Sequence, residues 1–236
     1  MSKKITSKSN TSSKDNIIEN FSCTNCGVYN CQSRTKEFPQ FCPTLKEIDG
    51  HAIEKDIQEI KEHLNGDCSD AIIARASAEV EGIFYGTKTR VEEIIEFARR
   101  INAKKIGIAT CMGLIEESKI FAKILEANHL EYYSAVCKVG AIDKADVGIL
   151  EKHKINSGKY EPTCNPLLQA RILNSQNTDL NVVVGLCVGH DALFTKYSNA
   201  LSTTLVTKDR LTGHNPVAAL HLTHSYYKKL LVESKK

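Results

Sequence analysis

Apolar residues first recur at helical spacing in the stretch 45–64. There Ile53, Ile57, Ile60 and Leu64 stand three or four apart, and Asn65 with Gly66 closes the pattern. Ser69 caps a second helix carried by Ile72, Ala76 and Val80, which ends at Gly82 and Gly86. A third opens on Thr89 with Glu92 three residues on, the reciprocal pair of a capping box, and puts Ile94, Ile95, Ala98 and Ile101 on one face. Beyond Lys104 the period changes. Residues 105–110 (KIGIAT), 131–137, 181–186 (NVVVGL) and 203–207 read as short strands, and 114–126, 166–175, 190–197 and 216–230 as helices between and after them. Strands that are apolar throughout, alternating with helices, predict a parallel sheet covered on both faces.

The chain divides accordingly. Residues 1–20 are rich in Ser, Lys and Asn without periodicity and read as a disordered tail. Residues 21–43 hold four cysteines and few large aliphatics, so they cannot build a core of their own. Residues 44–236 form one α/β domain, a helical lead-in over 44–103 and a sheet core over 104–236. The fold class is thus α/β: a Rossmann-like parallel sheet with helices on both faces, preceded by a helical segment and a small cysteine-rich metal-binding segment. The connection 138–161 is long for such a unit, as functional loops often are, and in an enzyme it would act as a lid.

Composition bears on compartment and partners. Nine of 236 residues are Cys, too few for a disulfide scaffold. No apolar run reaches membrane-spanning length, and the first twenty residues lack the apolar centre of a secretory leader. The net charge is +3, and no aromatic–basic stripe accompanies it, so a nucleic-acid partner is not expected. A cytoplasmic protein follows, with reduced thiols, and metal binding is the first explanation for so many of them.

The cysteines fall into two groups. Cys23, Cys26, Cys31 and Cys42 are spaced C-x2-C-x4-C-x10-C in the core-poor segment, where a bound metal would supply the folding energy. Cys23-x-x-Cys26-Gly27 resembles a zinc knuckle, and Cys42-Pro43 the last ligand of a ferredoxin-type run, so zinc and iron–sulfur both remain open there. The second group is positional. Cys111, Cys137 and Cys187 each follow a predicted strand and each is soon followed by glycine: Gly113, Gly140 and Gly189. Strand C-termini of a parallel sheet share one edge, where ligands bind, and the glycines let the backbone approach a bound group closely. Cys164 precedes Asn165 and Pro166, a cap and first turn, where a helix N-terminus favours thiolate. His214 repeats that position before Asn215 and Pro216, and His190 and Asp191 follow Cys187. Four converging thiols match a [4Fe–4S] cluster or a closed zinc site. Cys68 is left over and reads as a core residue at a helix start.

The segments CTNCGVYNC and FCP near the N-terminus, TRVEEIIEFARR and ATCMGL in the middle, and VVVGLCVGHDALF with KDRLTGHNPVAALHLTHSYY near the end resemble the domain-of-unknown-function 1847 family. That is a prokaryotic family of cysteine-rich proteins taken to bind metal and common in anaerobes. The resemblance runs from about Phe21 to the end of the chain and implies metal binding. It supports Cys23, Cys26, Cys31 and Cys42 as one set, and Cys111, Cys137, Cys164, Cys187, His190 and His214 as motif positions.

Three functions fit these residues. The first is a protein with one or two [4Fe–4S] clusters, or zinc at the N-terminal site, that carries electrons to a redox partner. The second is a metal- or cluster-dependent enzyme acting on a small molecule, with His190, Asp191 or His214 handling protons. The third is a zinc-containing binding or regulatory module. Neither a phosphate-binding P-loop, a dinucleotide glycine fingerprint nor a G-x-S-x-G elbow is present.

Overall fold

A computed structural model describes residues 21–232, which fall into two units divided between Ala74 and Arg75. The tail read over residues 1–20 lies outside the described residues. Among the described residues no helix is long and apolar enough to cross a membrane.

The first unit is built from short elements. A 3-10 turn at Cys23–Asn25 leads to helix α1 (Asn30–Ser33), and a second turn, Pro43–Leu45, leads to a hairpin of β1 (Glu47–Ile48) and β2 (His51–Ala52). Asp49 and Gly50 both take positive φ, as a two-residue hairpin turn requires. That turn delays the predicted helix, which begins only at Ile53: α2 spans Ile53–Asn65 and buries none of its residues. Between residues 21 and 70 only Asn30 is buried, so the cysteine-rich segment has no apolar core. Its ends meet through Phe21 and Phe41, packed edge to face at 5.5 Å. Helix α3 (Ser69–Phe84) crosses the boundary between the units.

In the second unit α4 (Arg90–Arg100) opens on the capping box of Thr89 and Glu92. It leads into β3 (Lys105–Thr110), α5 (Ile115–Ala127), β4 (Glu131–Val136), α6 (Pro166–Ser175), β5 (Leu180–Val184), α7 (His190–Tyr197) and β6 (Leu201–Val206). The four strands are parallel in the order β4-β3-β5-β6. The chain moves outward from β3 in both directions, so the switch point lies between β3 and β5. Successive residues point to opposite faces. Ile106, Ile108, Val182 and Val184 pack with Ile94, Ile95, Phe121 and Leu125 of α4 and α5. Ala109, Ala135 and Val183 pack with Ala170, Leu173 and Phe194 of α6 and α7. Helices thus cover both faces, as the pattern predicts.

One close approach fixes the centre of the sheet. The buried Asn181 of β5 lies across Gly107 of β3, where a Cβ would fall 1.8 Å from its Oδ1. Asn181 accepts from Thr178 Oγ1 at 2.8 Å and donates to Ser198 Oγ at 2.7 Å.

Two predicted elements differ. The last helix is only α8 (Val217–His221), followed by turns and a 3-10 segment at Lys228–Leu231. Thr223 and Ser225 turn their hydroxyls onto the carbonyls of Leu220 and Leu222, a local alternative that competes with helix propagation. The long connection 138–161 is braced rather than structureless. Lys154 contacts Asp143 at 3.0 Å and Glu151 at 2.7 Å, Lys144 pairs with Glu161, and Asp143 bridges to Pro162.

Candidate functional site

The sheet ladder runs straight into the cysteines. Cys111 follows β3 and donates its N–H to Val184 O at 3.0 Å, while Cys137 follows β4 and donates to Thr110 O at 2.8 Å. Asn165 N donates to Cys137 O at 2.8 Å, which places Cys164 beside Cys137. Asn165 also caps α6 by accepting from Leu168 N, with Pro166 in the first turn, as the sequence predicts. Cys187 lies three residues beyond β5. The four predicted strand-edge thiols therefore gather at the C-terminal edge, Cys111 and Cys137 buried, Cys164 and Cys187 half-buried.

Their environments differ. Cys137 accepts from Met112 N at 3.3 Å and donates its S–H to Cys164. That donation and burial hold the Cys137 thiol well above the ordinary thiol range. The same hydrogen bond lowers Cys164 to about 5, helped by the charges of Lys138 and His190 against the cost of burial. The pair thus shares one proton, which rests on Cys137. Helix α6 was the expected source of thiolate stabilisation at Cys164; the neighbouring thiol comes first. Cys187 accepts from Arg210 Nη2 at 3.0 Å, and the guanidinium is within electrostatic reach of Cys111 and Cys164.

The other predicted residues spread over several roles. Gly140 takes positive φ, and a Cβ there would meet Leu168 at 2.9 Å; Gly189 takes positive φ in open space; Gly113 sits under the Lys208 ammonium. The tightest approach at the edge belongs to Gly185, which the sequence pattern did not single out. It lies at φ 67, and its Cβ would fall 2.0 Å from Leu114 Cδ1. His190 begins α7, with a buried Nδ1 that has no hydrogen-bond partner among the described residues. Asp191 accepts from Ala192 N. His214 closes its own loop: its Nδ1 accepts from Asp209 N at 3.2 Å and its N–H donates to Asp209 O at 2.8 Å. The helix after Asn215 and Pro216 has no side-chain cap, so this start does not repeat that of α6.

Gln169, also missed, is fully buried beneath the edge. Its Nε2 donates to Thr110 O at 3.1 Å and Ala135 O at 2.8 Å, joining α6 to the strand ends that carry Cys111 and Cys137. Such a residue gives no sequence signal, being one polar residue inside a helix.

In the first unit Cys23 and Cys31 are exposed, and Cys26 and Cys42 half-buried. Cys26 accepts from Tyr29 N at 3.4 Å, and Cys42 precedes the turn at Pro43. Cys68 is exposed, not a core residue; its Sγ lies 3.7 Å from His63 Nε2, which also meets Asp70 Oδ2 at 3.0 Å. Among the described residues no three His, Cys, Asp or Glu side chains are gathered as a single metal ion requires. The donor set at the sheet edge is nevertheless four thiols from four separate segments.

Residues 48–205 match the model of the family described as protein of unknown function (DUF1847). The chain belongs to that family. It is also 47% identical over 196 residues to an uncharacterized protein of Methanocaldococcus jannaschii, an alignment covering 83% of this chain and 96% of the relative. No solved structure matches. The matched family span contains Cys111, Cys137, Cys164 and Cys187 and leaves Cys23, Cys26, Cys31 and Cys42 outside.

Proposed function

We propose that this chain is a cytoplasmic metal-binding redox protein whose working site is the thiol edge of the sheet, with Cys111, Cys137, Cys164 and Cys187 holding a [4Fe–4S] cluster. The observation that carries the reading is the convergence of four thiols from the ends of three strands and the start of one helix. Four thiols at one sheet edge match the ligand count of a [4Fe–4S] cluster, which four cysteine thiolates hold. Lys138 and Arg210 beside the sulfurs supply positive charge that thiolates require. Such a cluster, when bound, supplies one-electron transfer; the chain's part is to fix the four sulfurs through the sheet ladder and Gln169. Cys23, Cys26, Cys31 and Cys42 would hold a second centre, zinc or iron–sulfur. Support for it is the lack of any buried apolar residue in that segment, which leaves metal to hold it together.

The test is anaerobic purification with visible absorption and iron and sulfide analysis. About four irons per chain are expected at the edge, and about eight if both sites carry clusters. Cys187→Ala and Cys164→Ala lose the edge iron, while Cys23→Ala leaves it. A colourless chain carrying only zinc refutes the cluster, and iron content indifferent to Cys187→Ala refutes its location.

A further inference from the structure

Cations gather at the thiol edge, and among the described residues no carboxylate forms an ion pair with them. They come chiefly from the loop after β6. Lys208 lays its stem over Gly185, where a Cβ would meet its Cδ at 3.7 Å. Its Nζ stands 3.3 Å from the position of a Gly113 Cβ, which is itself 3.9 Å from Cys111 Sγ. Among the described residues Lys208 forms no ion pair. Arg210 is exposed and gives one donor, Nη2, to Cys187 Sγ; a guanidinium has five N–H donors. Lys138 stands by Cys164.

The nearby acids are spent locally. Asp209 turns back into its own loop, where Oδ1 accepts from Leu211 N at 2.9 Å and Thr212 N at 3.1 Å. Asp191 accepts from Ala192 N. The contacts between Asp209 and His214 close the loop, so Lys208 and Arg210 leave a braced frame. Lys208 Nζ sits over the backbone turn at Gly113, and most of the Arg210 fork has no acceptor among the described residues.

The geometry points to a binding site for a small oxyanion, carboxylate or phosphate, between Arg210 and Lys208 at the mouth of the thiol edge. The substrate of the edge is then an anionic small molecule, its oxygens on a planar fork and an ammonium while its remainder faces the sulfurs. This assignment of a substrate class rests on the reading of the edge as the working site. The anion contacts belong to Arg210 and Lys208 and can be measured independently of iron.

The experiment is isothermal titration calorimetry of the full chain with inorganic phosphate and, separately, succinate, alongside iron analysis of the same samples. One site is expected, weakened about tenfold or more by Arg210→Gln and by Lys208→Gln. Lys208→Arg, which keeps the charge, stays within about twofold. Circular dichroism checks that each variant is folded. Binding of phosphate alone assigns a phosphate ester, of succinate alone a carboxylate, and of both an oxyanion in general. No binding of either anion to an iron-loaded chain overturns the anion site and leaves the metal reading standing, as does binding indifferent to both glutamine variants. Binding by an iron-free chain that Arg210→Gln weakens supports the anion site while the metal reading fails.

Discussion

Gly185 is the position at the thiol edge where one added methyl group meets the tightest contact. It ends the run of β5 at φ 67, a left-handed conformation that costs a residue bearing Cβ about 1–2 kcal/mol. The added Cβ of Gly185→Ala would lie 2.0 Å from Leu114 Cδ1 and 3.4 Å from its Cγ. Leu114 is buried under the edge and has no solvent to swing into, so relieving the overlap adds about 1–3 kcal/mol. Together the substitution should destabilise the chain by about 2–5 kcal/mol. Leu114→Ala alone opens a cavity and should cost about 2–5 kcal/mol. In the double variant the new methyl enters the space that Leu114 leaves. The two effects should therefore fall short of additivity by about 1–3 kcal/mol. Urea unfolding followed by far-UV circular dichroism on the four chains measures all three quantities. Two results refute the reasoning: Gly185→Ala within about 0.5 kcal/mol of the native chain, or a double variant that is simply additive.

Two further outcomes follow from the geometry. The thiolate is the reactive form of cysteine, so in the metal-free chain alkylation of Cys164 by iodoacetamide should stay fast at neutral pH and fall only as pH drops through about 5. Cys137→Ala removes the donor that holds Cys164 down and moves that midpoint upward; peptide mass analysis across pH reads it, and an unmoved midpoint refutes the shared proton. At the other end of the sheet, Asp179 Oδ2 accepts from Lys104 N and Lys105 N, each at 2.8 Å. Asp179→Ala leaves both N–H groups without that acceptor at the start of β3. It should cost about 1–3 kcal/mol in the same unfolding assay, with Asp179→Asn recovering part; an unchanged midpoint refutes the role.

The sheet was legible because its strands are apolar without interruption and its helices carry a clear period. Ile106 and Ile108 on β3, and Val182 to Val184 on β5, have no other sensible place. The hairpin of β1 and β2 was not legible, since strands of two residues are too short for any period to register; only Asp49-Gly50 marked it. The end of the chain misled because Val217, Leu220, Tyr227 and Leu231 keep helical spacing while the intervening hydroxyls turn inward on the backbone. At the candidate site, strand-end cysteines could be found because a strand end is a position along the chain. Arg210, Lys208, Gln169 and Gly185 could not, because what brings each to the edge is a neighbouring segment distant in sequence.

By itself the sequence determined that three cysteines end strands of a parallel sheet and a fourth starts a helix, and parallel strands place their C-termini on one side. That much follows from period and direction alone. The tertiary structure decided which groups meet there. The order β4-β3-β5-β6 sets Cys111 between the ends of β4 and β5, and the hydrogen bond from Asn165 to Cys137 makes Cys164 the partner that shares a proton. The loop after β6 brings Arg210 to Cys187. Local pattern can put a thiol at an edge, but its proton and its countercharge come from segments folded against it, and those are fixed only when the whole sheet closes.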